Sequence, residues 1–178
     1  IGLYIRCSGL NANVFSGKGV DDNTWELLFA FYWELWIGER LLYILSDMQS
    51  EGIIDEVENV DLVNGIINLF MNCDILCSDL DKLRDYFIQL QKKLLYEIHN
   101  FLLLGKSQPQ VDISLNIGAL TYGIPNLLKK TVSFFKKKHI LFLVDEYENF
   151  SEQQQQVMMT LLREKPTSCS IRIGTRPY

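Results

Sequence analysis

The stretch "HILFLVDEYENF", residues His139 to Phe150, decides the fold, because in it an unbroken apolar run meets two adjacent carboxylates. The run Ile140–Val144 has the length and composition of a β-strand buried on both faces. Asp145 and Glu146 follow it directly. Ligands of open parallel sheets bind at the carboxyl ends of the strands. We therefore expect both carboxylates at the functional edge of a sheet, where an unpaired buried charge is costly.

The bulk composition is that of a single globular domain. The chain has 178 residues, of which 48% are apolar and 22% charged, and its net charge of −5 argues against a surface that grips nucleic acid all over. The few cysteines and histidines have no CxxC spacing, which argues against a zinc site and predicts the reduced thiols of a cytoplasmic protein. These residues are Cys7, Cys73, Cys77, Cys169, His99 and His139.

Hydrophobic periodicity predicts an α/β chain with a parallel sheet, because strands alternate with helices towards its end. The predicted strands are Ile1–Cys7, Val111–Ile117, Ile140–Val144 and Cys169–Thr175. The predicted helices are Thr24–Gln49 (capped by Asp22 or Asn23), Leu62–Met71, Asp79–Leu104, Ile124–Lys138 and Ser151–Arg163 (capped by Ser151). The first helix is rich in aromatic residues and should be deeply packed. Charges within it, Glu26, Glu34, Glu39 and Arg40, exclude a membrane span.

A magnesium ion with nucleotide phosphates would explain both carboxylates. Asp145 would hold the ion through its water shell, and Glu146 would orient and deprotonate an attacking water. An apolar run followed by Asp-Glu is the Walker B pattern of P-loop ATPases. The alternative is that Asp145 caps a turn and Glu146 is a solvated loop residue.

The segments "ILFLVDEYENFSEQQQQVMMTLLRE" and "SIRIGTRPY" together resemble AAA+ ATPases, in particular a bacterial group related to the origin-recognition-complex type. "GTRP" is also similar to the arginine-bearing sensor of STAND-type signalling ATPases. The resemblance covers residues 139–178 and, by position alone, the strand Ile1–Cys7. It implies that Asp145 is the magnesium-associated carboxylate and Glu146 the general base, with Thr175 or Arg176 as the sensor of the γ-phosphate.

The resemblance implies a partial P-loop NTPase core over residues 1–178. Its parts would be the strand at 1–7, a mainly helical insertion at 24–105 before the Walker B strand, and a segment at 111–178 with the Walker B and sensor strands. The phosphate-binding loop GxxxxGK[ST] is missing. "ANVFSGKG" (Ala12–Gly19) and "NFLLLGKS" (Asn100–Ser107) are incomplete matches in the wrong context. We therefore expect the P-loop upstream of Ile1, and little ATP binding by this polypeptide alone.

Five lysines lie close together before the Walker B strand. Helical spacing would bring them into a patch that could contact DNA phosphates, although a solvated helix face is the simpler explanation. The lysines are Lys129, Lys130, Lys136, Lys137 and Lys138. An open sheet edge next to Cys169–Thr175 would favour self-association or a partner subunit.

The sequence therefore favours a Mg²⁺- and ATP-dependent AAA+ or STAND-type switch or motor domain from a bacterial cytoplasm. Two alternatives remain open. One is a non-catalytic interaction domain that keeps the fold without nucleotide chemistry. The other is a metal-dependent nuclease that uses Asp145, Glu146 and Glu148.

Overall fold

The fold is known from a computed structural model, which describes residues 1–71, 75–104, 109, 111–164 and 168–174. Its strands are β1 (Gly2–Arg6), β2 (Ile140–Asp145) and β3 (Cys169–Ile173). Its helices are α1 (Asp22–Ser50), α2 (Glu56–Ile67), α3 (Leu80–Leu104), α4 (Gly123–Thr131) and α5 (Glu152–Arg163). Short 3-10 turns occupy Cys7–Leu10, Ala12–Val14, Ser133–Phe135 and Tyr147–Asn149.

The three strands form one parallel sheet in the order β1-β2-β3, as the sequence predicts. Strand β2 lies between the other two, so its backbone is paired on both sides. Its core face is buried through Ile140, Phe142 and Val144, whereas Leu143 on the other face is 37% exposed. The expectation of burial on both faces is therefore wrong, because the helices of the described chain pack against one face.

Helix α1 is the centre of the core and packs against both α3 and α5. Asp21 caps it by accepting a hydrogen bond from the Thr24 amide at 2.9 Å, one residue before the predicted cap. Phe29 and Trp33 on α1 make edge-on ring contacts with Phe150, in the loop after β2. The predicted deep packing of this aromatic helix is confirmed, and it anchors the loop that carries the carboxylates.

Glu34 is fully buried on α1, and its carboxylate accepts four hydrogen bonds from the turn before α4. Oε1 accepts from the Gly118 amide at 2.8 Å and the Thr121 hydroxyl at 2.9 Å. Oε2 accepts from the amides of Leu120 at 2.7 Å and Thr121 at 2.8 Å. Burial raises the pKa of the Glu34 carboxyl, and these hydrogen bonds partly oppose that rise. Glu34 thus ties α1 to the approach to α4.

Two other helices differ from the predicted ranges. Helix α2 begins at Glu56 instead of Leu62, because Asp55 and Glu58 form a capping box. Helix α4 ends at Thr131 instead of Lys138. It ends there because Val132 is extended and buried, and because the next amide, that of Ser133, donates to Glu58 Oε1 at 2.8 Å.

Residues 111–117, predicted as a strand, pair with no strand in the described part of the chain. The alternation of apolar and polar residues is not matched by an alternation of buried and exposed side chains, because the neighbours Ser114 and Leu115 are both buried. The Ser114 carbonyl accepts a hydrogen bond from the Met71 amide at 2.8 Å, at the end of the α2 region. The segment is therefore extended chain packed against helices, and the predicted strand is wrong.

No helix within the described ranges combines the length and apolar character that crossing a bilayer requires. This agrees with the charged residues that interrupt the apolar face of α1.

Glu34→Gln should lower the free energy of unfolding by about 1–3 kcal/mol. The NH₂ group that replaces one carboxylate oxygen would face backbone amides and a hydroxyl that are themselves donors. A buried N–H would therefore be left without an acceptor. Urea denaturation measures the loss. Glu26→Gln, the same change at a half-buried position of α1, should stay within about 0.5 kcal/mol of the wild type. Equal midpoints for all three proteins would contradict the role given to Glu34.

Gly38→Ala should destabilise the chain by about 1–3 kcal/mol although alanine is the better helix former. A Cβ at Gly38 would lie 2.6 Å from Phe87 Cε2 and 2.9 Å from Leu120 Cδ1, both in fully buried side chains. Gly65→Ala on α2 is the matched control, because the atoms nearest to its Cβ would belong to Leu127, whose side chain is partly exposed and can turn aside. Thermal denaturation that ranks Gly38→Ala as at least as stable as Gly65→Ala would refute this account of the packing.

Candidate active site

The carboxyl ends of the three strands meet at one edge of the sheet. Asp145 is the last residue of β2 and lies opposite Arg6, the last residue of β1. On the other side, the Gly174 amide donates to the Val144 carbonyl at 2.7 Å, which continues the β2–β3 pairing to the same level. This is the edge at which the sequence places the two carboxylates.

Both oxygens of Asp145 accept hydrogen bonds. The Tyr4 hydroxyl on β1 donates to Oδ2 at 2.5 Å, and the Glu146 amide donates to Oδ1 at 2.9 Å. Gly174 leaves room for this carboxylate, because a Cβ there would lie 3.3 Å from Oδ1. The side chain of Asp145 is therefore oriented from β1 and from its own loop, and β3 approaches it closely.

Glu146 has a backbone conformation that non-glycine residues seldom adopt, with φ 60° and ψ 36°. Its side chain is 16% exposed, and Oε1 lies 3.5 Å from Nε of Arg6, whose side chain is 62% exposed. Solvent screens such a pair, so it holds Glu146 only weakly. The other oxygen, Oε2, is buried and has no hydrogen-bond partner among the described residues. A strained residue that presents an unsatisfied oxygen is typical of a functional position.

Glu148 and Cys7 complete the surroundings of the two carboxylates. Oε2 of Glu148 is also buried without a hydrogen-bond partner in the described part of the chain. The buried thiol of Cys7 has its pKa raised to about 12, first by burial and then by the charges of Glu146, Asp145 and Glu148. Cys7 therefore stays protonated near neutral pH and is no nucleophile.

The loop after the carboxylates is held by side chain to backbone hydrogen bonds. The Tyr147 hydroxyl donates to the Gln155 carbonyl at 3.2 Å, and the Gln155 side-chain amide donates to the Phe150 carbonyl at 3.0 Å. Ser151 caps α5 through a capping box with Gln154, which confirms the predicted cap. The loop is thus fixed at both ends, and Glu146 keeps its unusual conformation.

The predicted site is partly visible. Asp145 and Glu146 are adjacent and directed to the same edge, whereas Thr175 and Arg176 lie outside the described residues. Sequence reasoning missed Tyr4 and Arg6. Their only signal is their spacing in Ile1–Cys7, which places them on the same face of β1 at its end.

A three-carboxylate metal site of the kind the nuclease alternative requires is not found. Within the described ranges, no three His, Cys, Asp or Glu side chains are arranged to share an ion. Asp145, Glu146 and Glu148 do not form such a group. A cleft of about 500 Å³ lies elsewhere, between α1, α5 and residues 113–117, and none of these three carboxylates lines it.

The lysine patch is divided by the early end of α4. Lys129 and Lys130 lie in the last turn of this helix, whereas residues 136–138 follow the 3-10 turn Ser133–Phe135. The expectation that helical spacing joins the two groups is wrong. Residues 136–138 precede β2 and therefore lie at the edge of the sheet opposite Asp145, where Lys138 Nζ lies 5.3 Å from the ring centroid of Phe134.

The whole chain, residues 1–178, matches the model of a protein family described as ORC-CDC6-like. No curated protein and no solved structure matches the chain. The family match extends well beyond residues 139–178, which carry the resemblance seen in the sequence, and includes β1 and the long helices. The chain therefore belongs to the ORC-CDC6-like family, which relates it to the AAA+ ATPases.

Proposed function

We propose that this chain is part of a Mg²⁺-dependent domain that binds and hydrolyses ATP as a switch or motor. The observation that carries the proposal is the pair Asp145-Glu146 at the carboxyl end of the middle strand, with Glu146 Oε2 buried and without a hydrogen-bond partner among the described residues. Water or a ligand is the usual partner of such an atom. Membership of the ORC-CDC6-like family supports an ATPase-related domain.

The oxygen donors present fit a hard divalent cation. Mg²⁺ prefers carboxylates and keeps several of its waters, and Asp145 would hold it through one of them. The bound ion would neutralise charge on the phosphates during transfer. Asp145 is oriented by hydrogen bonds from the Tyr4 hydroxyl and the Glu146 amide.

Glu146 would act as the general base towards the attacking water. Its buried Oε2 is the acceptor available for a water proton, whereas Oε1 faces Arg6. Because Arg6 is largely exposed, the ion pair is weak enough to be exchanged for a ligand. Proton abstraction by a positioned carboxylate contributes about 10²–10⁴-fold to rates of this kind.

The phosphate cradle is proposed to lie upstream of residue 1. No GxxxxGK[ST] occurs in the 178 residues. Residues 12–19, the nearest approximation, form a 3-10 turn and loop before α1, where Gly17 lies against Leu102 of α3. The 3-10 turn Cys7–Leu10 separates this loop from β1, whereas a phosphate-binding loop follows its strand directly.

Finer features belong to the same proposal. Residues 1–178 would form one partial ATPase domain, in which residues 24–105, with α1–α3, are a mainly helical insertion between the first strand and the Walker B strand. Thr175 or Arg176 would sense the γ-phosphate, because β3 delivers its end beside Asp145. Self-association through an open sheet edge is proposed as well, and a DNA contact at the lysines would involve two separate groups of charges.

The alternative is a non-catalytic interaction domain with the same fold. One observation favours it, because both carboxylates have partners within the chain: Tyr4 donates to Asp145, and Arg6 lies 3.5 Å from Glu146. The two functions predict different results for Glu146→Gln. An ATPase would lose hydrolysis, whereas an interaction domain has no hydrolysis to lose.

Glu146→Gln, made in the protein that joins this chain to its phosphate-binding loop, should retain ATP binding and lose hydrolysis by about 10²–10⁴-fold. The amide keeps the shape of the side chain but cannot accept the water proton. Phosphate release measures turnover, and a fluorescent ATP analogue measures binding. Glu152→Gln, an exposed position in the first turn of α5, is the control and should hydrolyse normally. Turnover by Glu146→Gln at the wild-type rate would show that Glu146 is not the base.

Asp145→Ala in the same protein should weaken nucleotide binding about tenfold or more in Mg²⁺, and much less in EDTA. The reason is that Asp145 acts on the nucleotide through the ion. Titration with the analogue under both conditions measures the difference. Asp112→Ala removes an exposed carboxylate distant from the sheet edge and should leave both affinities unchanged. An equal loss with and without Mg²⁺ would rule out a metal role for Asp145.

A further inference from the structure

Tyr4 links the exposed face of β1 to the carboxylate that is proposed to hold the ion. Its Cα lies opposite Leu143, two positions before the Arg6–Asp145 pair, so its side chain is on the same face as Asp145. The phenol extends from β1 to the neighbouring β2, where its hydroxyl donates to Asp145 Oδ2 at 2.5 Å. A hydrogen bond of this length from a hydroxyl to an ionised carboxylate is among the stronger kinds.

The contact has little structural purpose of its own. Tyr4 is 58% exposed, so the core gains little from it, and phenylalanine would pack equally well on the same strand. Its effect falls on Asp145. The Glu146 amide holds Oδ1, and Tyr4 holds Oδ2, so the plane of the carboxylate is set from two directions.

The hydroxyl of Tyr4 is in direct contact with the Asp145 carboxylate. A cation that approaches this carboxylate should therefore change the environment of the phenol.

We propose that Tyr4 is a positioning residue of the metal site, whose hydroxyl holds Asp145 in the orientation that receives a hydrated divalent cation. This inference rests on the proposed function, because it needs Asp145 to face the ion. The inference makes Tyr4, on a different strand from Asp145, a determinant of metal affinity, although Tyr4 itself binds neither metal nor nucleotide. Outer hydrogen-bond partners of metal sites typically change affinity about 10–100-fold when removed.

The test is binding of Mn²⁺, used as the probe for Mg²⁺, to the protein that joins this chain to its phosphate-binding loop, with a non-hydrolysable ATP analogue bound. Electron paramagnetic resonance measures free Mn²⁺ in wild type, Tyr4→Phe, Tyr96→Phe and Asp145→Asn. Tyr96→Phe is the matched control, because it removes the same hydroxyl at a 63% exposed position on α3. Tyr4→Phe should weaken binding about tenfold or more, and Tyr96→Phe should match the wild type.

A second readout uses the wild-type protein, so it does not depend on whether Tyr4→Phe folds. In wild-type protein labelled at the tyrosine Cζ, addition of Mg²⁺ should shift the Tyr4 resonance and leave that of Tyr96 in place. The same addition to Asp145→Asn should leave both resonances unchanged. A role of Tyr4 in packing alone would not produce a shift that depends on the ion.

The outcomes separate the inference from the function on which it rests. Mn²⁺ binding that is lost in Asp145→Asn but unchanged in Tyr4→Phe, with no shift of the Tyr4 resonance, would overturn the role of Tyr4 and leave the metal role of Asp145 standing. Mn²⁺ binding that is absent from the wild type at millimolar ion, or equal in Asp145→Asn, would overturn both. Weakened binding in Tyr4→Phe together with the shift supports the proposal.

Discussion

The parallel pairing of β1 with β2 is the constraint on which the site depends. It joins residues 2–6 to residues 140–145, and its register sets Arg6 opposite Asp145. Because side chains alternate along a strand, a slip of one residue would move Tyr4 and Arg6 to the core face. The register is held by burial of Leu3 and Ile5 beside Phe142 and is continued by β3 on the far side. The segment between β1 and β2, which contains α1–α4, thus begins and ends at the same site.

Two adjacent carboxylates at a sheet edge are electrostatically costly, and the surrounding chain compensates them unequally. Asp145 receives hydrogen bonds on both oxygens. Glu146 has one weakly paired oxygen and one with no hydrogen-bond partner in the part of the chain that the structure describes. The thiol of Cys7 is protonated and neutral, so it does not offset the negative charge of the carboxylates. An oriented carboxylate next to a strained and incompletely satisfied one is what the proposed division into ion holder and base requires.

The sequence predicts those parts of the fold that local patterns determine. The apolar run of β2, the Ser151 cap and the aromatic periodicity of α1 are local signals, and all three are confirmed. Residues 111–117 have a local strand pattern but no partner strand within the described ranges, so tertiary packing overrides the pattern. Tyr4 and Arg6 could not be foreseen, because their role exists only once the β1–β2 register is known. The end of α4 at Thr131 similarly depends on Glu58, which is distant in sequence.

The most direct test of the central claim is the amino-acid sequence that precedes Ile1 in the natural gene product. It can be read from the coding sequence and checked by mass spectrometry of the purified protein. The proposed ATPase site predicts a β-strand pattern there, followed at once by GxxxxGK[ST] and a helix. A natural start immediately before Ile1, or a preceding stretch without such a loop, would leave Asp145 and Glu146 without a phosphate cradle. That result would contradict the proposed hydrolysis and favour the interaction domain.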